Sequence, residues 1–238
     1  MSSPQQSSIG NRILSLLPQR EFDEVSAHLL AVDIPRGFLM VAANSPIEYV
    51  YFPCSGIGSV ITVSPEGNQA EGGLFGRDGF APTSAAVGAD RSLPEVSVQV
   101  PGQAYRLTRS RFLRLMDDNP EFSKLLHRAA QVLATQVSFT ALSNAVHEIS
   151  ERLARWILMC HDRVDGDQIA LTHEFIAIML AVRRPSVTTA LHVLEGNGFI
   201  RSERGNIIVR NREALEEFAA DAYGKPEEEY RRLIGPLR

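Results

Sequence analysis

The chain has 238 residues, 44% hydrophobic and 22% charged, with a formal net charge of -4 and two cysteines. That length allows two modest domains, and the acidity argues against a protein that coats nucleic acid indiscriminately while leaving room for one basic face. No run approaches the roughly 18 apolar residues of a membrane span, and Cys54 and Cys160 have no CxxC spacing or Cys/His cluster, so both read as reduced small hydrophobes of a cytosolic protein, with a disulfide or redox sensor as the alternative.

The opening stretch MSSPQQSSIGN lacks the basic and apolar regions of a signal peptide, so export is not expected and residues 1–11 are expected to be disordered. From Ile13 to Leu30, Leu14, Leu17, Phe22, Val25, Leu29 and Leu30 recur near helical spacing with Pro18 interrupting them, which predicts one or two short helices ending near Val32. Between Ile34 and Leu107 the pattern changes to short β-type runs broken by Gly and Pro. Strands of this kind predict a compact antiparallel barrel or jelly roll. Ser110 opens a short helix through Met116, and Asn119-Pro120 starts a long one reaching Val146.

In the long helix Leu125, Val132, Phe139 and Val146 repeat every seven residues, while Leu126, Ala129, Ala130, Leu133, Val137 and Ala141 cover a neighbouring face. A helix apolar on two sides needs two burial partners. The expected partners are the barrel and the same helix of a second subunit, with Leu126, Ala129, Leu133 and Val137 at the dimer interface. The alternative, a core helix buried wholly within its own domain, stays open. The pattern shifts phase near His147, and a further helix from Glu148 to about Arg163 turns Ile149, Leu153, Trp156, Ile157 and Cys160 inward.

Thr172 to Val209, THEFIAIMLAVRRPSVTTALHVLEGNGFIRSERGNIIV, predicts two short helices, a tight turn between them, and a hairpin: a winged helix-turn-helix. Thr172 is the expected N-cap of the first helix. Pro185 suits the first turn of the second, which should end near Asn197-Gly198. In that helix Val187, Ala190, Leu191 and Leu194 share an inward stripe, leaving Pro185, Thr189 and His192 facing outward with Ser186 and Thr188 at the flanks. Ile169 to Leu171 should form a short strand, and Gly205-Asn206 the loop of the wing. From Arg183 to Arg212 six arginines face only Glu195 and Glu203, a local balance of +4 in an acidic chain. Nucleic acid is the simplest partner, with Thr172, Arg183, Arg184, Ser186, Thr188, Thr189, His192 and Arg204 facing it. The bland alternative is a structural helix pair with a solvated arginine face. A last helix, Arg212 to Tyr223, precedes a charged tail that is either docked or mobile.

This order of parts, with ERLARWILMCHDRV (Glu151 to Val164) and LTHEFIAIMLAVRRPSVTTAL (Leu171 to Leu191), resembles the Crp/Fnr family of bacterial transcription regulators. The resemblance implies an α+β fold: a cyclic-nucleotide-binding-like antiparallel β jelly roll (1–109), a helical dimerisation linker (110–147), a winged helix-turn-helix (148–223) and a tail (224–238). It implies a cytoplasmic homodimer that binds double-stranded DNA, with RNA polymerase as a further partner and no membrane. It also implies a pivot between Asn144 and Glu148, and recognition helices about 34 Å apart to meet successive major grooves.

Carried over residue by residue, the match is partial. In cyclic-AMP-responsive members the recognition helix opens Arg-Glu with another Arg a turn later; here Arg184 keeps the first position, but Pro185 and Thr189 hold the others, so the target sequence should differ. The cyclic-nucleotide cassette has Gly-Glu followed by Arg-Ser/Thr-Ala. This chain has Gly76-Arg77-Asp78 and Arg91-Ser92-Leu93, which place the effector pocket at Gly76, Arg77, Asp78, Arg91 and Ser92. Arg77 in place of Glu removes the ribose acceptor, so cyclic AMP should bind weakly or not at all; a more negative anion and an empty barrel both stay open. Two cysteines cannot supply a four-thiolate iron-sulfur cluster. Haem ligation by one of His28, His127, His147, His161, His173 or His192 stays open, although a lone histidine is more often a surface or core residue.

Catalysis finds no support. A metal-dependent barrel enzyme needs converging histidines, and Ile34 to Leu107 contains none. No GxSxG elbow occurs, and Asp117-Asp118 before Asn119-Pro120 reads as helix-end chemistry. No cofactor, metal or catalytic residue is assigned. The rival to DNA binding is a ligand-sensing module acting through protein contacts, which would not need the arginine-rich helix and wing.

Overall fold

The computed structural model describes residues 4–237, so the disorder expected for residues 1–3 lies outside the described residues. From residue 4 the polar start is anchored rather than disordered. The Asn11 amide donates to the Pro53 and Gly79 carbonyls at 2.8 and 2.9 Å, and Gln6 donates to the Ser15 and Leu17 carbonyls. Backbone acceptors of the following elements satisfy these side chains, which composition alone could not show. Helices α1 (Arg12–Ser15) and α2 (Gln19–Ser26) flank Pro18 as expected. Helical character stops earlier than Val32, because Leu30 already opens a strand.

The barrel is built from β1 (Leu30–Ile34), β2 (Leu39–Val41), β3 (Ser45–Pro46), β4 (Tyr49–Pro53), β5 (Ile57–Val63), β6 (Gln69–Phe75), β7 (Arg91–Ser92), β8 (Glu95–Val100) and β9 (Gly102–Thr108). They pair antiparallel as β1-β9-β4, β2-β8-β5-β6 and the short β3-β7. Apolar residues of β1, β2, β4, β8 and β9, among them Ile34, Val41, Phe52, Val98 and Leu107, close over a common core. Helix α3 (Arg109–Asp118), capped by Thr108, and helix α4 (Pro120–Val146) cover the outside. Phe52 of the sheet, Phe80, Phe112 of α3 and Phe122 of α4 meet with ring centroids 5.9 to 6.4 Å apart.

Pro120 starts α4 and neither Gly nor Pro interrupts it for 27 residues. The expected dimer face needs correction. Leu126 is 0% and Ala129 7% exposed, both sealed in the core that α4 shares with the barrel. Leu133 is half-buried, and a Cβ on Gly73 of β6 would lie 3.0 Å from it and 2.8 Å from Gln136 Oε1. Only Val137 of the four is exposed. The strand presses so closely on α4 that this stripe serves the barrel. The outward stripe lies elsewhere on the helix, at His127, Gln131, Ala134, Ser138, Ala141 and Ala145.

The C-terminal part comprises α5 (Ile149–His161), β10 (Gln168–Ile169), α6 (His173–Met179), α7 (Arg184–Gly196), β11 (Ile200–Glu203), β12 (Asn206–Val209), α8 (Arg212–Ala219) and α9 (Lys225–Leu233). Between α4 and α5 only His147 and Glu148 are extended, and Glu148 with Glu151 forms a capping box. The expected last helix ends at Ala219, with a 3-10 turn at Ala220–Ala222. The tail is docked: α9 lies on α4, with Tyr230 and Leu237 packed on Val132. No helix among the described residues is long and apolar enough to cross a membrane.

Candidate nucleic-acid interface and its anchorage

The helix-turn-helix forms where its sequence places it. Thr172 Oγ1 accepts from Phe175 N and caps α6. Pro185 stands in the first turn of α7, and Asn197 ends it. Val187, Ala190, Leu191 and Leu194 are buried at 0 to 3% exposure against the core of α5 and α6. That packing fixes the roll of α7, so Arg183, Arg184, Thr189 and His192 are exposed and Ser186 and Thr188 half-exposed beside them. The Thr188 and Thr189 hydroxyls donate to the Arg184 and Pro185 carbonyls and keep acceptor capacity outward. Arg184 pairs with Glu174 at 2.6 Å, both about two-thirds exposed. An exposed pair of this kind is worth about 0–1 kcal/mol, so a phosphate or a base can displace it.

Between α6 and α7 the chain turns through Ala181, whose φ of +50° is a left-handed conformation on a residue with a Cβ. The wing is β11 and β12, with β10 as a third strand on the other side of β12. Its turn is Arg204-Gly205 rather than Gly205-Asn206, because Asn206 already pairs with Glu203; Gly205 takes the positive φ of +78° and Arg204 is exposed at the tip. The strand before α6 lies at Gln168–Ile169, one residue ahead of expectation.

The anchorage of this head on the barrel was not expected. Ile57, Ile61, Leu74 and Val100 of the barrel belong to the same core as α5 to α8. Asp78 and Arg163, 6% and 4% exposed, form a buried two-pronged pair at 2.7 and 3.0 Å. Burial by itself lowers the Arg163 guanidinium, and the Asp78 and Asp162 carboxylates outweigh it and hold the group above its ordinary value. Arg77 reaches Asp165 at 2.7 Å, and Arg36 donates to the Ala170 carbonyl. Glu71, fully enclosed, accepts from Trp156 Nε1 at 2.8 Å and from the Ser59 hydroxyl, with Gln99 donating to Ser59. Burial pushes the Glu71 carboxyl up to about 7, against the hydrogen bonds of Ser59 and Trp156 and the charges of Arg155 and Arg163. No motif marks Glu71; only the alternation of β6 points it inward.

These contacts overturn the effector pocket expected at Gly76, Arg77, Asp78, Arg91 and Ser92. Asp78 and Arg77 are committed to the head, and Gly76 N is held by Asp78 Oδ1. Arg91 lies exposed on β7 with its guanidinium on the Asn44 carbonyl, and Ser92 donates to the Pro94 carbonyl. The space between barrel and α4, bounded by Phe75, Phe80, Val132, Gln136, Arg163 and Tyr230, is about 20 Å³, room for about one water. Nothing in the cassette spacing foretold that Arg163, just beyond α5, and Tyr230 of α9 would fill it. A wider, open groove of about 740 Å³ separates Gly67, Asn68 and Gln69 at the β5–β6 turn from Glu174, Arg183, Arg184 and Ser186.

Comparison with known proteins agrees with the geometry. The family model of the Crp-like helix-turn-helix domain matches residues 151–218. No curated protein matches the chain. Among solved structures, the fold is similar to FixK2 from Bradyrhizobium japonicum, with TM-score 0.69 and 17% identity over 81% of this chain and 98% of that one. It is also similar to the c-di-GMP-responsive global regulator CLP of Xanthomonas campestris, with TM-score 0.65 and 14% identity over 81% and 99%. A Crp/Fnr-family transcriptional regulator from Eubacterium rectale gives TM-score 0.65 and 16% identity over 88% and 98%.

Proposed function

We infer that this chain, with a Crp-like helix-turn-helix at residues 151–218 and a fold similar to Crp/Fnr regulators over most of its length, is a transcriptional regulator that binds specific duplex DNA. The observation that carries the reading is the outward face of α7. Its apolar stripe is consumed by the core, and what remains is Arg183, Arg184, Ser186, Thr188, Thr189 and His192, continued by Arg204 on the wing. Arginine can read guanine bidentately in a major groove, the hydroxyls and His192 can take bases or phosphates, and the wing tip can take a phosphate. A module acting through protein contacts has no use for this surface.

The working unit in this reading is a homodimer. Its support is the spacing of His127, Gln131, Ala134, Ser138, Ala141 and Ala145, alternately four and three apart along the exposed side of α4, which is the spacing of a coiled-coil seam. The head pivots at His147-Glu148, and its affinity for DNA depends on its attachment to the barrel. In the docked arrangement the β5–β6 turn stands beside Arg183 and Arg184, where a major groove about 12 Å wide would have to enter. Docking therefore lowers DNA affinity, and whatever favours release raises it. Cyclic AMP is not the effector in this reading, supported by Arg77 at the ribose position and by the filled space under α4.

The test is fluorescence anisotropy of the full chain against labelled genomic fragments at several salt concentrations, with sedimentation for the oligomeric state. Specific binding by a dimer should lose affinity with a log-log slope of about -0.9 per phosphate contacted. No sequence preference at any salt would sink the reading.

A further inference from the structure

A second cavity, of about 300 Å³, opens between β2 and the β4–β9 pair, on residues that take no part in holding the head. Tyr51 of β4 faces Arg106 of β9 across the ladder, and Tyr49 lies two residues from Tyr51, so all three side chains emerge on one face of the sheet. The Arg106 guanidinium lies over the Tyr49 ring, 4.1 Å from its centroid. Burial raises the Tyr51 phenol above its ordinary value, against a hydrogen bond and the charge of Arg106. Leu39, 46% exposed, and Met40 supply an apolar wall, and exposed Glu48 stands at the rim.

Arg106 lines an open cavity without a paired acid; the buried Arg155 also lacks one, but it donates to the Gln136 carbonyl and the Thr140 hydroxyl inside the fold. Arg77, Arg163 and Arg212 each have an acid at 2.7 Å. Among the described residues no carboxylate pairs with Arg106, and its Nε is buried without a hydrogen-bond partner. The enclosed Nε is out of a ligand's reach, and the guanidinium meets a flat anion with its terminal nitrogens, whose planar fork matches the two oxygens of a carboxylate. The tyrosine rings and Leu39 then accept an apolar or aromatic body, and Glu48 repels a second negative charge. A volume near the lower end for ligand sites suits a single-ring compound.

We propose that this cavity is a binding site for small aromatic monocarboxylates, with the carboxylate on Arg106 and the ring between Tyr49, Tyr51 and Leu39. The site is separate from the space under α4 and does not depend on the DNA-binding reading. The probes are benzoate and 4-hydroxybenzoate, with inorganic phosphate as comparator, titrated calorimetrically into the full chain. The aromatic acids bind and phosphate does not. Arg106→Gln weakens binding roughly 10- to 100-fold, the loss expected for a charge-assisted contact. Arg106→Lys, which keeps charge without the fork, falls between the two. Leu39→Asp, at an exposed position and leaving Arg106 untouched, also weakens binding, so the result does not rest on one variant's folding. Arg91→Gln, an exposed arginine outside the cavity, leaves it unchanged. Phosphate binding as tightly as the acids, binding that survives both Arg106→Gln and Leu39→Asp, or no heat of binding up to about 10 mM probe, weaker than any millimolar site, overturns the proposal.

Discussion

The barrel–head junction and the recognition face use charge in opposite ways. At the junction Asp78, Arg163 and Glu71 are buried and every one has its partner in place. On the recognition face Arg183, Arg184 and Arg204 stand in solvent, and Arg184 has only a loose pair with Glu174. A buried charge is fixed to one geometry, because leaving its partner costs desolvation that nothing repays. An exposed one keeps its hydration and can exchange it for a phosphate or a base at little loss. Charge at the junction therefore belongs to the fold, and charge on α7 is left free for a partner.

The contrast can be broken most forcefully at Asp78. Asp78→Ala leaves Arg163 buried without its ion-pair partner, and guanidinium unfolding should show a loss of about 3–5 kcal/mol. Adding Arg163→Met should restore much of it; a small loss in the single variant would mean that the pair is solvated. Glu71 sharpens the same side through pH. Its folded value of about 7 lies above the unfolded 4.5, so the folded state holds its proton longer. The Glu71 contribution to stability is most favourable below about pH 4.5, declines as pH rises, and its penalty is complete above about 7, on the order of 3 kcal/mol. Glu71→Gln should flatten that dependence, and Trp156 fluorescence, from the chain's single tryptophan, should follow the junction. An unchanged profile would remove Glu71 from the account.

On the recognition face the effects are smaller and fall on binding rather than on stability. Arg184→Ala should cost about 1–3 kcal/mol of DNA affinity and relax discrimination at one base pair, with thermal stability unchanged. Uniform weakening on all sequences would make it a phosphate contact instead. Ala181→Gly should raise stability by about 1 kcal/mol, since glycine adopts the left-handed turn without the Cβ clash. A destabilised variant would show that the Ala181 methyl packs usefully in the turn.

Much of the recognition unit was legible because its signals are local. Thr172 caps, Pro185 starts, Asn197 stops, and an i, i+3, i+4, i+7 stripe rolls α7 to one side. The dimer face and the effector pocket were misread because their residues answer to distant ones. Leu126 and Ala129 fit either a partner helix or a barrel by periodicity, and the close approach of β6 at Gly73 settles which. Asp78 in the cassette gave no hint that Arg163, 85 positions on, would claim it.

By itself the sequence determined the kinds of element and their order: short strands, one uninterrupted helix, two helices with a hairpin, and arginines gathered where the rest of the chain is acidic. Those follow from propensity, capping and period, which act over a few residues. Only the tertiary structure decided which side of α4 is spent on the barrel, that α9 and Arg163 close the space beneath it, and that Arg106 is left without an acid. Each depends on which side chains meet across long separations in the chain, and burial there sets whether a charge is bound or free.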